Sequence, residues 1–122
     1  MLALVIWAER VTAPPSSGAK VQVIYWDKYT QFEEQALRKI VDEFNATHPN
    51  IEVKFLSISD VQTKTLMAIA GGVPPDIAGL FAPDVAQYAD ANAILPLDDY
   101  CDEAGIKEER YNPFFLKRFS TL

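Results

Sequence analysis

Apolar and polar positions recur along this chain with two different periods, and the switches between them mark out the elements. Val21 to Trp26 (VQVIYW) is a β-branched and aromatic run, nearly all apolar, which predicts a strand covered on both faces and stopping at Asp27-Lys28. From Thr30 the period changes. Ala36, Leu37, Ile40, Val41 and Phe44 fall at helical spacing, Glu34, Arg38, Lys39, Asp42 and Glu43 mostly fill the other face, and Thr30 with Glu33 has the form of a capping box. The His48-Pro49-Asn50 turn ends this amphipathic helix, because the residue before a proline avoids the helical region. Ile51-Glu52-Val53-Lys54-Phe55 then alternates with period two, as expected of a strand with one wet face at or near a sheet edge, where its charges discourage edge pairing.

A second helix is predicted from the Ser59/Gln62 capping box, with Val61, Leu66, Ile69 and Ala70 as its buried stripe and Gly71-Gly72 as its left-handed stop. Pro74-Pro75-Asp76 leads into Ile77-Ala78-Gly79-Leu80-Phe81, too short for a helix and bounded by prolines, hence a third strand. Pro83-Asp84 opens a third helix carrying Val85, Tyr88 and Ala89. Ala93 to Leu97 is extended because Pro96 cannot continue a helix, and Asp98 or Asp99 caps a short turn after it. The tail, with Tyr111, Phe114, Phe115, Leu116 and Phe119, has a helix-like apolar face. Strands alternating with helices predict an α/β fold: a parallel sheet with helices packed on its faces. Ligands in such sheets sit beyond the carboxyl ends of the strands, which directs attention to the loops after Trp26 and Phe81.

Residues 1–19 read differently. Met1 to Ala8 (MLALVIWA) is apolar but too short to span a bilayer, which speaks against direct membrane insertion, and Thr12 to Ala19 has the prolines, serines and glycine of a linker. The segment matches an export signal in its apolar centre and small residues but lacks a basic front, so 1–19 is expected to be a partial signal peptide and linker ahead of a domain at 20–122. The alternative is an N-terminal element of the fold.

The 122 residues are 49% hydrophobic and 23% charged, which suits one globular domain. Eleven basic residues against seventeen acidic ones give a net charge of -6, and no basic residue lies between Lys64 and Lys107. Counterion release cannot then be a main source of binding energy, so nucleic acid is not an expected partner. Cys101 is the sole cysteine and His48 the sole histidine, which removes support for an internal disulfide, a metal site, a histidine triad or thiol catalysis. Gly71-Gly72 lacks a following Gly-Lys and Gly79 is isolated within a strand, so no phosphate-cradling loop is present and no cofactor is expected.

The first loop holds the most suggestive chemistry. Trp26, Asp27, Lys28 and Tyr29 set two aromatic side chains around a carboxylate and an ammonium, a mixture suited to a polyol: ring faces cover C–H surfaces while the charged groups accept from and donate to hydroxyls. Equally, Trp26 is core and the charges are plain loop residues. The second loop repeats the theme with Phe81 and Asp84, although Asp84 also suits an N-cap. On the residues alone two other functions stay open. One is a small standalone α/β hydrolase using carboxylates at the strand ends; the other is a scaffold or interaction domain that binds no small ligand.

Four segments in order, VQVIYWDKYT, ALRKIVDEFNATHPNIEVKF, LMAIAGGVPPDIAGLF and VAQYADANAILPLDDY, resemble the extracellular solute-binding proteins of ABC transporters, in their sugar-binding, maltose-binding-protein-like branch. The resemblance spans residues 20 to 106. It implies a type II periplasmic-binding-protein-like fold, with two α/β lobes that close over a sugar or oligosaccharide and deliver it to permease subunits, outside the cytoplasm and without catalysis. It places Asp27 and Lys28 at a ligand-contacting acidic–basic pair, and Phe81 and Asp84, after a one-residue slip, at an aromatic and an acidic contact. Family members run to several hundred residues, so this chain resembles an N-terminal fragment of the first lobe. Expressed alone, it is expected to bind sugar weakly or not at all and to expose an apolar sheet edge.

Overall fold

Strand and helix alternate in the computed structural model, which describes residues 2–3 and 18–107. The elements are β1 (Leu2–Ala3), β2 (Val21–Asp27), α1 (Gln31–Thr47), β3 (Ile51–Ser57), α2 (Val61–Ala70), β4 (Ile77–Gly79), α3 (Ala82–Asp90) and α4 (Asp98–Glu103). The expected apolar face of the tail from Tyr111 to Phe119, and most of the expected signal and linker, lie outside the described residues.

The sheet order is β1-β4-β2-β3. β2 pairs in parallel with β3 from Val21↔Ile51 to Asp27↔Ser57, and with β4 at Tyr25↔Ile77 and Trp26↔Ala78. The α/β architecture with a central β2 and an edge β3 is therefore as the apolar run and the period-two segment predict. β1 departs from a purely parallel sheet: Leu2 and Ala3 lie antiparallel against Gly79 and Ala78 on the outer side of β4.

Alternation along the strands divides the core in two. On one face Tyr25, Phe55 and Val41 are buried together, with Leu37, Val53 and Ile77 against them; α1 covers this side. On the other, Ala78, Leu80 and Tyr88 are buried with Ile69, Val85, Ala93 and Ile94, contributed by α2, α3 and the extended segment after α3. The Tyr88 hydroxyl donates to the Gln62 carbonyl at 2.7 Å, tying α3 to α2. Asn45 of α1 reaches across to β3, where its amide both donates to the Val53 carbonyl (3.0 Å) and accepts from the Val53 N–H (2.8 Å).

The helix ends differ from expectation. Thr30 is the N-cap of α1, yet its hydroxyl makes no capping bond; Gln31, the first helical residue, is left-handed (φ 52°), so the first-turn N–H groups are not presented as a capping box requires. α2 is capped at Asp60 rather than Ser59, and α4 begins after Leu97, with Asp98 and Asp99 inside its first turn rather than capping it. Ile40 is exposed while Leu37 and Val41 face the sheet, and in α2 the buried positions are Val61 and Thr65, with Leu66 exposed. Packing selects the i, i+4 row nearest the sheet and leaves the apolar residue one step round in water. Gly72 (φ 73°) supplies the left-handed turn after α2, as expected.

Candidate functional site

Because β2 and β4 are parallel neighbours, their carboxyl ends open on one edge of the sheet, and the two loops singled out from the sequence start there. β2 runs one residue further than the apolar run suggests and ends at Asp27. Asp27 therefore obeys strand alternation: it shares the α1 face with Tyr25, two residues earlier, while Trp26 turns to the opposite face with Ala78.

Asp27 is buried, only 9% exposed. Its Oδ2 accepts from the Tyr25 hydroxyl at 2.7 Å and its Oδ1 from the Lys28 N–H at 2.7 Å. The carboxylate occupies the space in front of Gly79 on β4: a Cβ at that position would stand 2.2–2.5 Å from the three carboxylate atoms. Its carbonyl accepts from the Ile58 N–H at 2.8 Å, and the Ser57 hydroxyl donates to the Tyr29 carbonyl, so the exit of β3 braces the loop after β2.

Lys28 is exposed and holds its Nζ 5.0 Å from the centre of the Phe81 ring, a cation–π contact joining the two loops. Phe81 is itself 54% exposed. Tyr29 is half-buried, and the Asp27 charge first, then burial and the Glu33 charge, push its phenol above the usual tyrosine value. Asp84 stands in the first turn of α3, where its N–H donates to the Phe81 carbonyl and its charge adds to burial in raising the Tyr88 phenol.

The structure thus gathers Asp27, Lys28 and Phe81, with Tyr29 beside them. Trp26 is not brought to the same face, since one step along a strand reverses direction; its Nε1 is buried with no partner among the described residues. The aromatic that accompanies the acidic–basic pair is Phe81. Two further participants, Tyr25 and Gly79, escape motif reading, although the signals were present: Tyr25 stands two residues from Asp27 on one face, and an isolated strand glycine marks close approach by another group. Phe32, in the first turn of α1 after the same loop, is 83% exposed and carries no sequence signal distinguishing it from a core residue.

The remaining groups have local partners. The His48 ring stacks on Phe44 (centroids 3.9 Å apart), and its Nδ1 lies 2.9 Å from both the Phe44 carbonyl and the Thr47 hydroxyl, which fits a turn residue. Cys101 is a half-buried free thiol. Among the described residues no three metal-ligating side chains cluster, and no helix is long and apolar enough to cross a membrane.

Comparison with known proteins places this geometry in context. The model of a family described as bacterial extracellular solute-binding protein matches residues 29–119. A maltotriose-binding protein of Pyrococcus abyssi is 28% identical over 80 residues, covering 65% of this chain and 17% of that protein. Among solved structures, CpMnBP1 with mannotriose bound is similar at TM-score 0.72 and 26% identity, covering 81% of this chain and 25% of its own. The ABC substrate-binding protein Lmo0181 of Listeria monocytogenes, in complex with cycloalternan, is similar at TM-score 0.72 and 27% identity, covering 83% and 26%. The chain therefore spans about a quarter or less of the length of the relatives it matches.

Proposed function

We propose, since this chain belongs to the bacterial extracellular solute-binding protein family, that it captures a sugar or oligosaccharide as part of the binding component of an ABC importer. The α/β fold, with its sheet and flanking helices, is type II periplasmic-binding-protein-like, in common with the mannotriose- and cycloalternan-bound relatives. Residues 20–122 serve as the N-terminal part of the first lobe and contribute one wall of a cleft at the carboxyl edge of β2 and β4. The apolar centre and small residues of 1–19 support an export signal and linker, while the pairing of Leu2–Ala3 with β4 supports an N-terminal element of the fold; the protein works outside the cytoplasm, handing its ligand to permease subunits rather than transforming it. The named relatives are binding proteins, which supports a binding role over the hydrolase reading.

The observation that carries this reading is the meeting of Asp27, Lys28 and Phe81 on one sheet edge. The carboxylate accepts from ligand hydroxyls, the ammonium donates to ring and hydroxyl oxygens, and the exposed Phe81 and Tyr29 rings cover the apolar C–H face of a pyranose. Asp84 borders the same loop, whereas Trp26 lies on the other face of the sheet with its Nε1 buried. High-affinity small-ligand sites bury most of the ligand. A single wall falls short of that, so the 122-residue chain binds with a Kd on the order of millimolar, about 4 kcal/mol.

The test is a ¹H–¹⁵N NMR titration of the chain with maltotriose and with mannotriose, which reports weak binding residue by residue. Saturable shifts concentrated at residues 26–29 and 81–84, and lost in Asp27→Ala, are expected. Shifts that are absent, or scattered without saturation, would sink the proposal.

A further inference from the structure

Of the described glycines, Gly79 alone stands where an added Cβ would fall within 3 Å of another residue's side chain, and that side chain is the carboxylate of Asp27. A carboxylate is an expensive group to bury, and this one has no ion-pair partner among the described residues. The nearest cation in sequence, Lys28, turns its ammonium over the Phe81 ring and offers Asp27 only a backbone N–H. Among the described residues each carboxylate oxygen has one donor, Tyr25 O–H on Oδ2 and Lys28 N–H on Oδ1, whereas each accepts about two. Acceptor capacity is left over on both oxygens.

We propose that Gly79 and Tyr25 are positioning residues of the ligand site: the glycine leaves the space and the phenol supplies the donor that together fix the Asp27 carboxylate at the carboxyl edge of the sheet. This rests on the reading of Asp27 as ligand-facing. A purely structural design of this corner would fill it with a side chain at position 79 and an apolar residue at 27, sparing the desolvation of a charge. The arrangement present instead holds a partly satisfied acceptor in one orientation, as recognition of a hydroxyl-bearing ligand requires. The bonds to Tyr25 and Lys28 set the direction of the unused lone pairs, and Gly79 sets how far into the edge the carboxylate sits. With alanine at 79, the carboxylate has to retreat by about 1 Å to reach the ordinary contact distance of 3.4 Å from its present 2.2 Å. We expect that displacement to disturb the 2.7 Å bond from Tyr25.

The experiment compares the 122-residue chain with Gly79→Ala, Asp27→Ala, the double variant and Tyr25→Phe, using two readouts. The first is the ¹³C chemical shift of Tyr25 Cζ at neutral pH, which reports the hydrogen bond from its hydroxyl to Asp27 and needs no ligand. Gly79→Ala is expected to move that shift toward its value in Asp27→Ala, and to add no further change when Asp27 is already alanine. The second is the NMR titration with maltotriose and mannotriose. Gly79→Ala and Tyr25→Phe are each expected to weaken binding about tenfold, the equivalent of one lost hydrogen bond.

An unmoved Tyr25 Cζ shift in Gly79→Ala overturns the positioning role whatever the sugar data show. So does a moved shift with affinity unchanged in both Gly79→Ala and Tyr25→Phe. Wild-type chain that binds neither sugar, with the Tyr25 response intact, overturns instead the sugar-binding reading and the ligand half of this proposal with it. Should Gly79→Ala fail to fold, folding of the double variant supports the clash, and Tyr25→Phe, which removes only a hydroxyl, carries the binding test.

Discussion

Replacing Asn45 with alanine tests how the outer edge of this sheet is closed. Among the described residues β3 pairs only with β2, so its far side presents main-chain groups that need other partners. At Val53 both are met by one side chain: the Asn45 amide accepts from the N–H at 2.8 Å and donates to the carbonyl at 3.0 Å. Two hydrogen bonds at a net of about 1 kcal/mol each give about 2 kcal/mol. Alanine, the better helix former in the body of α1, returns about 0.5 kcal/mol. The net loss is about 1.5 kcal/mol, which for a chain of 122 residues lowers Tm by roughly 4–8 °C. Thermal unfolding followed by circular dichroism, with urea denaturation to verify an unchanged slope, measures it. Asn45→Asp sharpens the test: it keeps the acceptor for the Val53 N–H but sets a carboxylate oxygen against the Val53 carbonyl, so at neutral pH it should destabilise at least as much as alanine. A Tm within about 2 °C of wild type for both variants would refute the claim that this amide holds the edge.

Two further outcomes follow from groups in and near the site. Burial first, then the hydrogen bond and charge of Asp27, hold the Tyr25 phenol well above the ordinary value of 10.0, so the folded state keeps a proton that the unfolded chain releases. Stability from this source is fully present below about pH 10 and falls as pH rises beyond it. Urea unfolding across the alkaline range should show that decline, and Tyr25→Phe should make it shallower; an identical profile in the variant would contradict the assignment. Tyr88→Phe removes the 2.7 Å bond from α3 to the Gln62 carbonyl and should cost about 1 kcal/mol, read as a fall in Tm of several degrees, whereas an unchanged Tm would show that bond to be dispensable.

Much of this fold is legible in the sequence because each element is marked by its own period. The apolar run at Val21–Trp26 is the central strand, the alternating run at Ile51–Phe55 is the edge strand, and the spacing through Leu37 and Val41 is the face that α1 lays on the sheet. What fails is phase. Ile40 and Leu66 are as apolar as their buried neighbours, yet both are exposed, since the helix face is chosen by the position of the sheet and the residue 100° round is left outside. Both expected capping boxes fail for a related reason: Gln31 and Asp60 take left-handed backbone conformations where the chain turns sharply from strand to helix, which local residue preference does not reveal.

The candidate site divides along the same line. Composition and place suffice to single out Asp27, Lys28 and Phe81, but whether a loop residue continues the strand decides which way it faces. Because β2 includes Asp27, its carboxylate turns inward beside Tyr25 and over Gly79, and Trp26 turns away. Tyr25 then serves two ends at once. Its ring packs against Phe55, centroids 5.3 Å apart, in a core where burying such a side chain is worth about 1.5–3 kcal/mol, while its hydroxyl anchors the carboxylate. Among the described residues, Lys28 and Phe81 are held to each other by an exposed cation–π contact of about 0.5–1 kcal/mol. The edge therefore pairs an acceptor fixed to the hydrophobic core with an ammonium and a ring that a ligand can rearrange at little cost. A change in the α1-side core that shifts Tyr25 reaches the acceptor directly, and reaches Lys28 through its backbone N–H rather than through the ammonium that lies over Phe81.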